Sequence, residues 1–198
     1  RINNNTRLKF TTRFVEINGG MRVVEDHRGG AYGLEVDRVI FPTMEQAMMC
    51  EHYVLRNTGT VDYILQIPNL EQEILTDPKR GVKGSYRILS TIKGGGVYFL
   101  KQVESVEFDL VIEGLEMGQK SQADLDVKQL LAQRQAFLDV MDNNLVLDTP
   151  DDVIDTEFRF AKIRASESIC KTKGGYMHAP GGESYYAAIW ANDQAEYV

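Results

Sequence analysis

The chain has 198 residues, 43% of them hydrophobic and 26% charged, the composition of an ordinary globular protein able to bury a sizeable core. Its 22 basic residues against 29 acidic ones leave a formal net charge of -7, which argues against a nucleic-acid partner, since that would need a basic face. No apolar run reaches the length of a membrane span, and no basic stretch backed by an apolar one opens the chain, so neither a membrane partner nor a signal peptide is expected. Cys50 and Cys170 are too few for a disulfide framework and read as two buried free thiols.

From Arg7 to about Met117 the hydrophobic pattern has period two. "RLKFTTRFVEI" places Leu8, Phe10, Thr12 and Phe14 on one face of a strand. "HYVLRNTGTVDYILQIP" reads as strand, short polar turn, strand. "SVEFDLVIEGL" places Val106, Phe108, Leu110 and Ile112 on one face, with acids largely opposite. Turn signals recur between these runs at Asn18-Gly19-Gly20, Arg28-Gly29-Gly30, Asn57-Thr58-Gly59, Asp77-Pro78 and Gly94-Gly95-Gly96. Repeated short strands with close turns predict an antiparallel β-sandwich over residues 1–117.

After Gly118 the period changes to that of a helix. Ser121 is the expected N-cap, followed by Val127, Leu130, Leu131, Arg134, Phe137, Leu138 and Met141 on one stripe, giving a linker helix within 118–142. In "TPDDVID" Thr149 is the expected N-cap, Pro150 the first helical residue, and the acids favour the helix N-terminus. Ile154, Phe158, Ala161, Ala165 and Ile169 then fall on one stripe, and Gly174-Gly175 is expected to end the helix.

Most chemical motifs are missing. His27, His52 and His178 have no metal-type spacing with one another or with the cysteines, so no zinc site is expected. Gly94-Gly95-Gly96 lacks a following Lys-Ser pair and helix, and reads as a hairpin turn rather than a phosphate cradle. The acids of "DTPDDVID" read as a helix start rather than a calcium loop. The last stretch, "HAPGGESYYAAIWANDQAEYV", is different. It gathers His178, a glycine turn, Tyr185, Tyr186, the only tryptophan, Trp190, and Asp193 three residues beyond it. On a starting helix Trp190 and Asp193 share a side, a flat apolar face beside a carboxylate able to accept two sugar hydroxyls. A core tryptophan with a helix-start acid explains the same residue types equally well.

"LVLDTPDDVIDTEFRFAKIRASESI" and "GGYMHAPGGESYYAAIWANDQAEYV" together resemble the six-hairpin glycosidases, over about Asn143 to Val198. That family has an (α/α)6 catalytic barrel, and many members carry an N-terminal β-sandwich joined to it by linker helices. The resemblance implies a mainly β fold: an antiparallel, supersandwich-like sandwich over 1–117, a linker helix over 118–142, and the truncated start of an α/α barrel over 143–198. Relatives often carry Trp-Gly-Arg-Asp where this chain has Trp190-Ala191-Asn192-Asp193, with Asn192 in place of the arginine. It implies that Asp193 and Trp190 bind the terminal sugar, and His178, Tyr185 and Tyr186 join them by proximity. The implied activity is glycoside hydrolysis by two carboxylates on a carbohydrate substrate, with no metal or organic cofactor. The acid and base would belong to the rest of the barrel, the missing C-terminal segment, so these residues alone are expected to be inactive. A phosphorylase of the same layout, or a non-catalytic carbohydrate-binding or structural sandwich module, are the alternatives.

Overall fold

The structure, a computed structural model, describes residues 9–29, 31–81, 83–172 and 175–178, with 170–172, 177 and 178 described by their backbone only. Among the described residues it is mainly β and antiparallel, with two helices. The chain divides into two compact units, Arg1–Arg134 and Gln135–Val198.

The first unit holds β1 (Thr11–Ile17), β2 (Met21–Gly29), β3 (Tyr32–Pro42), β4 (Met48–Asn57), β5 (Tyr63–Ile67), β6 (Glu71–Leu75), β7 (Tyr86–Lys93), β8 (Gly96–Leu100) and β9 (Ser105–Glu116). Seven of them form one antiparallel sheet in the order β1-β2-β3-β4-β9-β7-β6, and β5 pairs with β8 in a second, two-stranded sheet. Register puts Val36, Leu55 and Val106 side by side on one face of the large sheet. Against that face the small sheet lays Tyr63, Leu65, Ile67 and Leu100, closing a core around Leu34. The period-two reading of β5 holds residue by residue: Tyr63, Leu65 and Ile67 are buried, and the residues between them are exposed. On the opposite face Phe41, Cys50 and Val111 stand in one row and pack under Ala123, Val127 and Leu130. Fully burying a side chain such as Phe41 or Leu34 contributes about 1.5–3 kcal/mol.

Several sequence expectations need correction. In β9, Val106, Phe108, Leu110 and Ile112 do share a face, yet the opposite face is not simply acidic and solvated, because Val111, Glu113 and Leu115 are buried there. A central strand covered on both sides hides part of each face. In β1, Thr12 and Phe14 do not share a face: a register shift between them pairs Thr12 with Glu25 but Phe14 with Val24. Gly94-Gly95-Gly96 is not a hairpin turn. It carries the chain from β7 in the large sheet to β8 in the small one. Gly94 sits at φ 77, where a side chain would be strained, and a Cβ on Gly95 would lie 2.1 Å from Asn69 Oδ1, so a side chain there would displace Asn69.

The helix α1 (Val127–Asn143) buries the expected stripe, with Val127, Leu130, Arg134 and Leu138 the most enclosed. Its N-cap is Asp126, not Ser121: the Asp126 carboxylate accepts from Lys128 N at 2.9 Å, and its carbonyl accepts from Leu130 N at 3.0 Å. Ser121 instead donates to the buried carboxylate of Glu113 and accepts from Ala123 N at 3.1 Å. Within the first unit, Arg134 Nε and Nη2 both donate to the Gly19 carbonyl, at 3.0 and 2.5 Å, tying the helix to the β1–β2 turn.

In the second unit, α2 (Asp152–Glu167) starts two residues later than expected. Asp151 is the N-cap and accepts from Val153 N at 2.9 Å, while Thr149 donates its Oγ1 to Asp155 at 2.9 Å. The helix also ends early. Ser168 donates its N–H and its hydroxyl to the Arg164 carbonyl, and Ile169 opens β10 (Ile169–Thr172), paired antiparallel with β11 (Gly175–His178). A serine that caps a carbonyl, followed by a β-branched residue, favours ending the helix there. Gly175, expected at the helix end, opens β11 at φ 121, and Ile169 is 52% exposed rather than on a buried stripe.

Candidate functional site

Of the residues expected to hold a sugar, Trp190, Asp193, Tyr185 and Tyr186 lie outside the described residues. His178 is the last residue of β11, with its backbone opposite Ile169. The approach to that segment is well built. Thr149 N donates to both oxygens of Asp155, at 3.1 and 3.2 Å, and Thr149 Oγ1 to one of them, which fixes the turn before α2. Lys162 Nζ donates to the carbonyls of Asp142, Asn144 and Leu145 at 3.2, 3.0 and 2.9 Å. These are the carbonyls at and just beyond the end of α1, where cations are favoured. Arg159 Nη2 meets Asp142 Oδ2 at 2.6 Å beside them. Lys162 is therefore a capping cation, with its ammonium hydrogens committed to three acceptors.

In the first unit three polar groupings combine chemistry-bearing side chains. His52 Nδ1 stands 2.7 Å from Asp109 Oδ1, with Cys50 two residues away on the same strand face. Arranged this way they look like a nucleophile, a base and its orienting acid. The thiol does not fit: Cys50 is fully buried, and desolvation, followed by the nearby Asp109, pushes it up to about 11. A thiol in that state is inert at neutral pH.

Glu113 is the second grouping. It is 2% exposed and accepts from the Ser121 hydroxyl and from Gln122 N at 2.7 Å, which pins the loop before α1. A polar cavity of about 310 Å³ lies beside it, lined by Glu45, Gln46 and Gln122 among others. Both Glu113 oxygens are occupied by that loop, so the carboxylate is a structural staple.

The third grouping is a cleft of about 330 Å³ lined by Arg13, Asp26, Arg28, Tyr32, Glu35, Thr58 and Thr60. Its wall is made by two turns locked together. Thr58 N and Gly59 N donate to the Gly33 carbonyl at 3.0 and 3.1 Å, Tyr63 OH donates to the same carbonyl at 3.0 Å, and Thr60 N donates to the Ala31 carbonyl at 2.9 Å. The approach is so close that a Cβ on Gly33 would lie 2.8 Å from Gly59 N, and one on Gly59 2.5 Å from Gly33 N. Inside the cleft Arg28 Nε donates to Asp26 Oδ2 at 2.8 Å. Arg13 approaches Asp26 and Glu35 at 3.7 and 3.5 Å. Sequence reasoning missed this site. Its signal is "EDHRGGAYGLE", in which acids on two adjacent strands stand opposite each other beside an aromatic ring.

Among the described residues no group of three or more metal-ligating side chains is present. No family model matches the chain, and neither a curated protein nor a solved structure matches it.

Proposed function

We propose that this chain is part of a glycoside hydrolase that cleaves a carbohydrate glycosidic bond with two carboxylates, and that it supplies one wall of the sugar site rather than the acid and base. The reading is carried by Trp190-Ala191-Asn192-Asp193 within the segment that closes the sequence. Its support from the fold is the order of elements. An antiparallel β unit is followed by α1, by the Asp151-capped α2 and by a short hairpin leading toward that segment. Six-hairpin glycosidases likewise carry a sandwich before linker helices and the barrel. The packing of the β5–β8 sheet on the seven-stranded sheet supports a sandwich for the first unit. In this reading Trp190 stacks on the apolar face of a sugar ring and Asp193 accepts two of its hydroxyls. An acid and base roughly 6.5–9.5 Å apart on opposite sides of the bond come from elsewhere in the enzyme.

The test is Asp193→Asn in the complete enzyme, assayed on a panel of aryl glycosides. Hydrogen bonds to a charged acceptor are worth roughly 1.5–3 kcal/mol each, so kcat/KM should fall on the order of ten- to a thousand-fold with the melting point unchanged. Trp190→Ala should raise KM more than it lowers kcat, because stacking is felt in ground and transition states alike. Unchanged kinetics with a lowered melting point would mean that Asp193 only starts a helix, and the reading would fail.

A further inference from the structure

We infer that the first unit carries a second binding site, for a neutral polyhydroxylated ligand of the carbohydrate class, in the cleft between the β2–β3 turn and the β4–β5 loop. Tyr32, Arg13, Asp26, Arg28 and Glu35 are its contacts. The site does not depend on the tail around Asp193.

The carboxylates carry the argument. Asp26 and Glu35 stand directly opposite each other on β2 and β3. Like charges in that position cost stability, and a sheet built for stability alone would pair opposite charges there. Arg28 neutralises Asp26 through one oxygen at 2.8 Å, while Arg13 approaches Asp26 and Glu35 only at 3.7 and 3.5 Å, long for hydrogen bonds. Arg13 reaches both acids because the register shift between Thr12 and Phe14 makes it the extra residue of a bulge, a device that re-aims a side chain. Among the described residues, Oδ1 of Asp26 and Oε1 of Glu35 accept no hydrogen bond. Two charged acceptor atoms are thus held in the cleft with capacity to spare.

The lining also identifies the ligand class. Two arginines and two acids balance, so the cleft has no net charge with which to select an anion or a cation. It presents charge-assisted donors and acceptors side by side, which matches neighbouring hydroxyls that each donate and accept. Tyr32 is 44% exposed and tilted at 45° to Tyr63 with ring centroids 6.0 Å apart, leaving aromatic surface for the C–H side of a sugar ring. The size falls within the roughly 300–1,000 Å³ of ordinary ligand pockets. The interlocked Gly33–Gly59 wall keeps the shape fixed before any ligand arrives.

The experiment is affinity electrophoresis of the chain through native gels containing soluble starch, xylan or mannan, with glucose, xylose and mannose as free competitors. At least one polysaccharide should retard the protein, and its apparent dissociation constant should weaken roughly ten- to a hundred-fold in Glu35→Gln, which keeps side-chain volume. Tyr32→Ala should weaken it similarly, whereas Asp193→Asn should leave it unchanged. Competition by a monosaccharide alone would assign the site to a single sugar unit, and competition only by oligomers to a chain. The proposal is overturned if no polysaccharide retards the protein. It is equally overturned if retardation survives Glu35→Gln and Tyr32→Ala, or if Asp193→Asn alone abolishes it, which would place the sugar on the tail. Since Glu35→Gln is isosteric and Glu35 lies at the surface of the cleft, a folding failure of Tyr32→Ala leaves the test decisive.

Discussion

Cys50 gives a quantitative test of how the large sheet is buried. Its thiol stands between Phe41 and Val111 in one row and is fully enclosed beneath the residues around Val127. Desolvation comes first among the causes that push it from 9.0 up to about 11, with Asp109 and Glu113 adding to the rise and Lys93 opposing it. At pH 8 a thiol at 9.0 is about 10% thiolate and one at 11 about 0.1%, a hundredfold loss of the reactive form before access is counted. The sign of the stability effect follows from proton binding. Between pH 9 and 11 the folded state holds the proton and the unfolded state has lost it, so stability falls as pH rises through that window. From pH 8 to 10.5 the loss is about 2 kcal/mol. The assay is urea unfolding at both pH values for a Cys170→Ser background and for the same background with Cys50→Ala. The pH-dependent drop should be smaller by that amount in the alanine variant, and native-state labelling by a disulfide reagent should track the unfolded fraction. A Cys50 that labels in native buffer within about tenfold of a free thiol would refute the burial and the shift together.

Arg134→Met keeps the apolar stem but removes both N–H donations to the Gly19 carbonyl, so it should cost about 2–3 kcal/mol, read as a lower urea midpoint at constant slope. Arg134→Lys should recover only part of this, because an ammonium cannot reproduce the fork; full recovery by lysine would mean that charge, not geometry, matters there. Asp151→Ala should destabilise α2 by about 1 kcal/mol while Asp151→Asn costs little, since the asparagine oxygen still accepts from Val153 N. Equal loss of helical circular dichroism in both variants would show that charge near the helix dipole, rather than the cap bond, is what Asp151 provides.

Arg134 illustrates where sequence reasoning succeeds and where it stops. Helical spacing places it on the buried stripe of α1 beside Leu130 and Leu138, and it is buried, but no local pattern says that its acceptor is a carbonyl 115 residues earlier. The same division runs through the chain. Period and turn residues are local, so the alternation of β5 and the stripe of α1 can be read directly, whereas α2 begins two residues past the expected cap and β10 lies where helix was expected. Partners are not local. Whether Gly94-Gly95-Gly96 folds a hairpin or passes between sheets depends on β8 finding β5, and whether Ser121 caps α1 depends on a buried Glu113 competing for its hydroxyl. Asp126 outcompetes it because a carboxylate five residues on can accept two helix N–H groups at once, at 2.9 and 3.4 Å. The two candidate sites divide along the same line. The proposed Trp190–Asp193 pair can be picked out in sequence because its residues are contiguous. The Asp26–Glu35 cleft cannot be read from one local pattern, since it forms only once a two-strand register has set one acid opposite another and a bulge has turned Arg13 toward both. If the cleft binds as proposed, its mark in the sequence is a local one, two like charges set opposite each other on paired strands and neutralised only by arginines from elsewhere in the sheet, and such pairs are what a search for register-built sites in β proteins should look for.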